Sequence, residues 1–432
     1  MRSLLVVLLD GLGDRASPAH GGRTANEAAA TPNLDALATR GSCGLLAPLG
    51  PGRAPSSEVA HWAMLGYLPS EFPGRAVMEA LGHGMEVRHG QVLAHAALRT
   101  AERRADGALW VTGRPGPDDA ADARVLLGSL PRVRLGRTDL ELRPLAPDRG
   151  EAVLAVTGEA DDRVTDSDPF FRARYPVLRP LALVPEGAAT ARAAELWSRL
   201  AIRALARHPI NLARARRGAP ALAAVTLKWW GRRRAAPSFR ARHGLDGAIV
   251  GASPFLAGLA ATVGLGYRRS PEGEDAAAGM RDRLAAAREA LDAGADFVLC
   301  HLKATDEAGH TKDPAVKRRT IEAVDGPLGA LAGGFAETVV CVTGDHATPT
   351  DPEVIHSGDP VPFVLCGPGV RADRVERFGE IDLAAGILGR LDGSDVMPVL
   401  LNAADRPLFL GSRPTAVPAP AGAPADVEPL SL

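Results

Sequence analysis

Short apolar runs recur along the chain, and stretches with helical character separate them. Five runs rich in Val, Leu, Ile or Phe end at polar or glycine-containing corners, at residues 4–9, 248–251, 297–301, 339–343 and 361–366. Helices are predicted at residues 31–40, 189–206 and 281–293, the first of which opens on Thr31 and Pro32. Continuous apolar strands alternating with helices are typical of a parallel sheet covered on both faces. We therefore predict an α/β fold with a doubly wound, mainly parallel sheet.

The pattern of apolar and polar residues changes between residues 86 and 180. Short alternating segments there, such as 91–97, 132–135 and 152–157, are broken by Gly, Pro and Asp. A chain of 432 residues is also too long for one hydrophobic core, since single cores stop growing at roughly 250 to 300 residues. We expect a core domain in two parts, 1–85 and 181–412, and an inserted smaller α/β cap domain at 86–180. The Pro- and Ala-rich residues 413–432 are expected to form a disordered tail.

The charge balance argues against nucleic acid or an anionic membrane as a partner. The chain carries 50 Lys and Arg against 51 Asp and Glu, so no net field attracts a polyanion. The local basic patch at Arg232, Arg233 and Arg234 is interpreted as an exposed loop. No apolar run reaches the roughly 20 residues of a membrane span, and the run before Asp10 is too short for a signal peptide. A cytoplasmic enzyme acting on a small molecule is the expectation, and the oligomeric state stays open.

Acidic and imidazole side chains follow three of the predicted strands. Because open α/β sheets bind ligands beyond the carboxyl ends of their strands, these side chains can converge in space. Carboxylates mixed with neutral imidazoles suit Zn²⁺ or Mn²⁺, whereas an all-oxygen set suits Mg²⁺ or Ca²⁺. A histidine alone is more often a core or surface residue, but its repetition at strand ends favours a transition-metal site. The predicted ligands are Asp10, Asp306, His310, Asp345, His346 and His356.

Ser57 provides a candidate nucleophile. It lies in the segment 55–61, just before a predicted helix start and after a loop. Phosphoryl transfer needs neutralised phosphoryl oxygens and an anionic oxygen nucleophile, and two ions about 4 Å apart supply both. A serine that only caps the following helix is the alternative reading of this position.

Six motifs occur in a fixed order over almost the whole chain, to about residue 411. Together they resemble the archaeal-type, cofactor-independent phosphoglycerate mutases of the alkaline phosphatase superfamily. The resemblance implies an alkaline-phosphatase-like fold and interconversion of 3-phosphoglycerate and 2-phosphoglycerate through a phosphoserine. The motifs are Asp10-Gly11-Leu12-Gly13-Asp14-Arg15, Thr31-Pro32-Asn33-Leu34-Asp35, Ser57-Glu58-Val59-Ala60-His61 with Leu65-Gly66-Tyr67, Lys303-Ala304-Thr305-Asp306-Glu307-Ala308-Gly309-His310, Gly344-Asp345-His346, and His356-Ser357-Gly358-Asp359-Pro360-Val361-Pro362.

The resemblance also implies roles for individual residues. Ser57 would be the catalytic nucleophile, and Lys303 is expected to balance the charge of the phosphate. Two divalent ions are implied, Mn²⁺ or Zn²⁺, with Mg²⁺ as the remaining option. One ion would be held by Asp306, His310 and His356, and the other by Asp10, Ser57, Asp345 and His346.

The segments that would choose the substrate depart from the family pattern. The family's Asp-Arg-Arg-Ala-Gly-Arg stretch is replaced by residues 110–116, in which Arg114 is the only candidate to bind an anionic group of the substrate. Its Leu-Arg-Gly-Ala-Gly run is replaced by residues 227–234, whereas 164–169 and 208–211 stay close to pattern. The predicted substrate-binding residues are His61, Arg114, Asp166, Asp168 and Arg232.

These departures open a second enzymatic hypothesis. A specialised relative would transfer or hydrolyse another phosphoryl or phosphonyl group, for example in phosphonate natural-product biosynthesis. Trp229 and Trp230 would then stack on a flatter group, although packing is the more frequent role of such residues. A non-catalytic scaffold is a third hypothesis, and the presence of all seven predicted ligands argues against it.

Overall fold

The structure is a computed structural model that describes residues 2–169, 175–273, 275–408 and 430–431. It divides into two compact units. The first comprises Met1–Phe72, Ala236–Leu256 and Ala260–Leu432, and the second comprises Pro73–Ala235 and Ala257–Leu259. The expected tail at 413–432 lies outside the described residues, apart from 430 and 431.

The strands are numbered in chain order. They are β1 (Ser3–Leu9), β2 (Ser42–Ala47), β3 (Val92–Arg103), β4 (Leu109–Gly113), β5 (Val133–Leu135), β6 (Thr138–Ala146), β7 (Glu151–Gly158), β8 (Tyr175–Pro176), β9 (Leu222–Arg232), β10 (Gly247–Gly251), β11 (Gly266–Arg269), β12 (Phe297–Leu302), β13 (Thr338–Thr343), β14 (Val361–Cys366) and β15 (Gly389–Asp392).

The α-helices are numbered in the same way. They are α1 (Ala25–Ala28), α2 (Pro32–Thr39), α3 (Ser57–Met64), α4 (Arg75–Gly82), α5 (Ala120–Gly128), α6 (Ala188–Arg207), α7 (Pro209–Arg216), α8 (Phe239–His243), α9 (Pro254–Val263), α10 (Ala276–Asp292), α11 (Ala304–His310), α12 (Pro314–Leu328), α13 (Leu331–Gly334), α14 (Glu380–Leu383) and α15 (Gly393–Ala403). Within the described part of the chain, none of them is long and apolar enough to cross a membrane.

The sheet of the first unit is mainly parallel, as predicted. Its strands run in the order β11-β10-β12-β1-β13-β14-β2-β15, and β10, β12, β1 and β13 are mutually parallel. β14 is antiparallel to both β13 and β2, although residues 361–366 were expected to be a parallel strand. The connection from 344 to 360 contains no α-helix, whereas a parallel return usually needs a helical crossover.

Helices cover both faces of this sheet. Successive side chains of β1 point to opposite faces. Leu5, Val7 and Leu9 belong to a core shared with α2, α10 and α12. Val6 and Leu8 line a small apolar cavity with residues of α3 and α15. The doubly wound arrangement is therefore confirmed, and it leaves the carboxyl ends of the parallel strands available for the site.

The second unit is built on an antiparallel sheet. β3 is its central strand and pairs with β7, β4 and β9. β6 pairs with β7 and β5, and β8 pairs with β4. Apolar residues of α5 and α6 pack with this sheet in a separate core that includes Leu126, Trp197 and Leu227.

The second unit is larger than the insertion expected at 86–180. It begins at Pro73, within the expected first part of the core domain, and it also takes residues 181–235 from the expected second part. The pairing of β9 with β3 and the packing of α6 cause the difference, because both join residues far apart in sequence.

The predicted helices are present with small shifts at their ends. α2 and α6 match the predicted ranges to within one residue at each end. Thr31 is the N-cap of α2 and Pro32 its first residue, but the Thr31 side chain makes no capping hydrogen bond. α10 begins five residues earlier than predicted, at Ala276, where the side chain of Asp275 accepts a hydrogen bond as N-cap.

Candidate active site

Two parallel strands, β1 and β13, deliver acidic residues to one edge of the first sheet. Asp10 directly follows β1, and Asp345 and His346 follow β13 after one glycine. His346 Nε2 lies 3.2 Å from Asp10 Oδ1 and 3.4 Å from Asp345 Oδ2. All three side chains are buried, and ligand atoms from each lie within 4.8 Å of one another. This group has the dimensions of a metal site.

A second group lies against the first. Ligand atoms of Asp306, His346 and His356 also lie within 4.8 Å of one another. The rings of His346 and His356 stack with centroids 3.8 Å apart. His310 Nε2 lies 3.2 Å from Asp306 Oδ1, so the structure brings together all the carboxylates and imidazoles predicted as ligands.

The two groups share one residue. His346 belongs to both by distance, whereas the resemblance assigned it to the ion of Asp10 and Asp345. His310 contacts Asp306 but falls outside the second group. The division of ligands between two ions stays a prediction.

Local backbone geometry explains how the groups form. Asp306 and His310 lie four residues apart in α11, on one face of the helix, as their spacing predicted. Gly11, next to Asp10, has a φ of 64°. A Cβ at this position would overlap the Thr348 hydroxyl and lie 2.8 Å from Asp306 Cα. Only glycine allows the Asp10 turn to approach Asp306 this closely.

Ser57 points its hydroxyl at these groups. It is the first residue of α3, and its Oγ lies 3.1 Å from His346 Nε2. The N-cap of α3 is Ser56, whose hydroxyl donates to Glu58 Oε1 at 2.8 Å. The capping position therefore belongs to Ser56, which leaves the Ser57 hydroxyl available for chemistry.

His61 lies beneath the site and not at its surface. Its side chain is buried, with 1% of the residue exposed, and its Nδ1 donates to the Ser57 carbonyl oxygen at 2.6 Å. Burial, aided by His301, lowers the pKa of His61 despite the neighbouring Asp345, so the ring stays neutral at neutral pH. The expected contact with substrate is replaced by a contact that holds Ser57.

We expect His61→Phe to lower kcat by about a hundredfold with little change in KM, because a nucleophile displaced by about 1 Å loses that much rate. Phenylalanine keeps the ring but removes the bond to the Ser57 carbonyl. Steady-state kinetics and thermal unfolding would be measured together.

His243→Phe is the matched control for His61→Phe. His243 is also buried, and its Nε2 donates to the carbonyl oxygen of Leu65, at the other end of α3, at 2.9 Å. The two variants should lose similar stability, and only His61→Phe should lose kcat. Equal kinetic losses in both variants would contradict a specific role for His61.

Lys303 provides a positive charge at the site. Its Nζ donates to Asp306 Oδ2 at 2.7 Å and to Asp10 Oδ2 at 3.3 Å, while 40% of the side chain stays exposed. Burial opposes ionisation of Asp10, but Lys303, His301 and His346 hold its pKa well below the usual value. The pKa of Asp306 is also lowered, because hydrogen bonds from His310 and His356 and the charge of Lys303 outweigh burial and Asp10. Both carboxylates are therefore anionic at neutral pH.

Three supporting residues were not predicted as part of the site. His301 Nε2 lies 3.2 Å from Asp10 Oδ2, and the Thr305 hydroxyl donates to the Asp10 carbonyl at 2.5 Å. The Thr348 hydroxyl donates to Asp306 Oδ1 at 2.7 Å. A polar residue inside the apolar run of β12 was the only sequence signal for His301, and nothing in the local pattern marks Thr348.

The other predicted substrate-binding residues lie in the second unit and outside these two groups. Asp166 Oδ1 accepts from the main chain of Trp229 at 3.0 Å, and buried Asp168 accepts from Arg99 at 3.2 Å. Arg114 is exposed just after β4. Their binding of substrate stays a prediction.

Arg232 does not lie in an exposed loop as expected. It ends β9, and its Nε lies 3.2 Å from Asp162 Oδ1. Arg234 contacts the same carboxylate at 2.6 Å. Asp162 thus pairs with two members of the basic patch, which reduces the positive charge that the patch offers to a ligand.

Comparison with known proteins identifies relatives over almost the whole chain. Residues 2–403 match the Metalloenzyme superfamily. A 2,3-bisphosphoglycerate-independent phosphoglycerate mutase of Methanopyrus kandleri is 37% identical over 417 residues, which cover 94% of this chain and 97% of the relative.

Solved structures show the same relationship. The cofactor-independent phosphoglycerate mutase from Thermoplasma acidophilum aligns with a TM-score of 0.62 and 30% identity, over 94% of this chain and 100% of that one. A protein from Pyrococcus horikoshii aligns with a TM-score of 0.77 and 29% identity, over 95% and 99%.

The superfamily match and the buried carboxylate–imidazole groups define a metalloenzyme of the α/β class. Within that class, the chain belongs to the family of 2,3-bisphosphoglycerate-independent phosphoglycerate mutases, which are isomerases. The family resemblance drawn from the motifs is confirmed.

Proposed function

We propose that this chain interconverts 3-phosphoglycerate and 2-phosphoglycerate through a phosphoserine at Ser57. The observation that carries the proposal is the position of the Ser57 hydroxyl, 3.1 Å from His346 Nε2 and beside two groups of potential metal ligands. The Methanopyrus kandleri relative is a phosphoglycerate mutase, which supports the choice of substrate.

The residues of the site fit divalent ions. Asp10 Oδ1 and Asp345 Oδ2 are buried and make no hydrogen bond within the described residues, and both face His346 Nε2, at 3.2 and 3.4 Å. A divalent ion bound between these atoms would complete both buried carboxylates. The mixture of carboxylate and imidazole ligands favours Mn²⁺ or Zn²⁺ over Mg²⁺. We propose that Asp306, His310 and His356 hold one ion, and that the other is held by Asp10, Ser57, Asp345 and His346.

Bound divalent ions would neutralise phosphoryl oxygens and lower the pKa of a serine hydroxyl. Ser57 also stands at the N-terminus of α3, where the helix dipole favours negative charge on its oxygen and on a phosphate. Lys303, anchored by Asp10 and Asp306, would place its ammonium next to the phosphate. The ions, the helix dipole and Lys303 would each stabilise the negative charge on the phosphoryl oxygens during transfer.

The reaction proceeds in two balanced halves. In the first, Ser57 Oγ loses its proton and bonds to phosphorus, while the ester oxygen of phosphoglycerate leaves and takes up a proton. In the second, the other hydroxyl of the reoriented glycerate loses its proton and bonds to phosphorus, the bond from phosphorus to Ser57 Oγ breaks, and Ser57 regains a proton. No phosphate is released, so the net reaction is an isomerisation.

A direct test incubates the Mn²⁺-loaded protein with 3-phosphoglycerate and follows the products by ³¹P NMR. We expect an equilibrium mixture with 2-phosphoglycerate and little inorganic phosphate. A parallel panel of phosphonates and nucleotide-linked phosphonates tests the specialised relative. Turnover of a panel member together with no mutase activity would overturn the proposal.

The surroundings of Trp229 and Trp230 favour packing over stacking on a flat ligand. Trp230 is buried, and the cationic groups of Arg75 and Lys228 each lie 4.0 Å from the centroid of the Trp229 ring. Nothing in these contacts supports the phosphonyl alternative over the mutase.

A further inference from the structure

A buried lysine that was not predicted as a site residue contacts main-chain carbonyl groups beside the site. Lys317, in the first turns of α12, is 0% exposed. Its Nζ donates to the carbonyl oxygens of Gly11 at 3.0 Å, Gly13 at 2.6 Å and Thr348 at 2.8 Å. An ammonium group has three N–H donors, so these three bonds use all of them.

The burial of this ammonium carries a large desolvation penalty. Burial, together with the charge of Lys312, lowers the pKa of Lys317 to about 8, although the charges of Asp14, Glu380 and Asp306 oppose the shift. All three hydrogen-bond partners are main-chain oxygens. A feature this unfavourable persists only where the fold gains something from it, and the positions of the three carbonyls show what is gained.

The three carbonyls belong to the two turns that present ligands. Gly11 and Gly13 follow Asp10 in one turn, and Thr348 follows His346 in the other. Three hydrogen bonds join these turns directly: Gly13 N donates to the His346 carbonyl at 3.4 Å, Thr348 N donates to the Gly13 carbonyl at 3.0 Å, and Gly11 N donates to Asp345 Oδ1 at 3.0 Å. Lys317 adds three more bonds from one side chain. Lys317 therefore crosslinks both turns through a single charged group.

We propose that Lys317 is a positioning residue for the metal site: by holding the two turns in register, it fixes Asp10, Asp345 and His346 at the separation that one divalent ion requires. The inference rests on the proposed metal site. It assigns Lys317 no contact with substrate, so its loss should weaken metal binding before it affects phosphoglycerate binding.

The test is Mn²⁺ binding to the metal-free full chain, with free Mn²⁺ measured by electron paramagnetic resonance. Lys317→Met keeps much of the side-chain length and removes the three donors. We expect one of two Mn²⁺ ions to bind about ten- to a hundredfold more weakly, as with other residues that orient metal ligands. Lys317→Arg, which keeps the charge and donors, should recover part of the affinity.

The matched control is Arg214→Met in the second unit. Arg214 is also a buried cation, 2% exposed, and it pairs with Asp119 and Asp122. Its variant should lose thermal stability without any change in Mn²⁺ affinity. This separates positioning of the metal site from a general cost of removing a buried charge.

Wild-type Mn²⁺ affinity at both sites in Lys317→Met would overturn the proposal. If that variant does not fold, Lys317→Arg decides through amide hydrogen exchange at residues 11–13 and 346–348. Faster exchange with weaker Mn²⁺ binding supports the role, and unchanged exchange with unchanged binding overturns it. Because Mn²⁺ binding needs no phosphoglycerate, either result is independent of whether the mutase reaction is confirmed.

Discussion

Ser57→Ala should reduce turnover of 3-phosphoglycerate by roughly 10⁴- to 10⁶-fold, the loss typical of removing a catalytic nucleophile. The Ser57 hydroxyl lies 3.1 Å from His346 Nε2, a predicted metal ligand, and is therefore in position to act as the nucleophile. Alanine removes the oxygen that would carry the phosphoryl group. Turnover would be measured by ³¹P NMR, and the covalent intermediate by mass spectrometry after rapid acid quenching with substrate.

Ser56→Ala provides the control one residue away. The Ser56 hydroxyl donates to Glu58 and not to the site, so this variant should keep its turnover and still acquire a phosphoryl group. Loss of turnover in Ser57→Ala with normal turnover in Ser56→Ala would identify Ser57 as the nucleophile. Phosphorylated protein recovered from Ser57→Ala, or turnover close to that of the unaltered chain, would rule out Ser57 as the nucleophile.

Exhaustive chelation should abolish turnover and lower the melting temperature by a few degrees. Without divalent ions, Asp10, Asp306 and Asp345 remain buried together near Lys303. A ligand present at a hundredfold excess over its Kd stabilises the folded state by about 2.7 kcal/mol, and removing it reverses that gain. Differential scanning calorimetry and metal analysis would follow the loss.

Addition of Mn²⁺ or Zn²⁺ should restore both turnover and melting temperature. Mg²⁺ added at the same concentration should restore less, because imidazole ligands suit it poorly. Full turnover in protein whose metal content is below detection would contradict a metal-dependent reaction.

Sequence patterns predicted best those site residues whose position is set by a single neighbouring strand or helix. Asp10 and Asp345 end apolar strands, and parallel strands bring their carboxyl ends to one edge, so their convergence could be predicted. The spacing of Asp306 and His310 similarly predicted a shared helical face. Local sequence was sufficient for these residues because each is placed by the element in which it lies or that it follows.

Local sequence was insufficient where placement depends on distant packing. His61 was expected to face substrate, but α3 turns its ring into the interior toward the Ser57 carbonyl. Lys317 reads as an ordinary helix lysine, and only the approach of two remote turns reveals its role. The extent of the second unit was likewise hidden, because β9 joins β3 across more than a hundred residues.

The pairing of β1 with β12 and β13 also governs how the enzyme is made. Asp10 leaves the ribosome early, yet the strands that pair with β1 lie at residues 297–302 and 338–343, and His356 follows them. The second unit, contiguous apart from residues 257–259, is synthesised completely before those strands. Since domains generally fold as units during synthesis, the second unit can fold before β12 and β13 are made. A nascent chain that ends before His356 lacks part of the proposed ligand set and cannot load both ions.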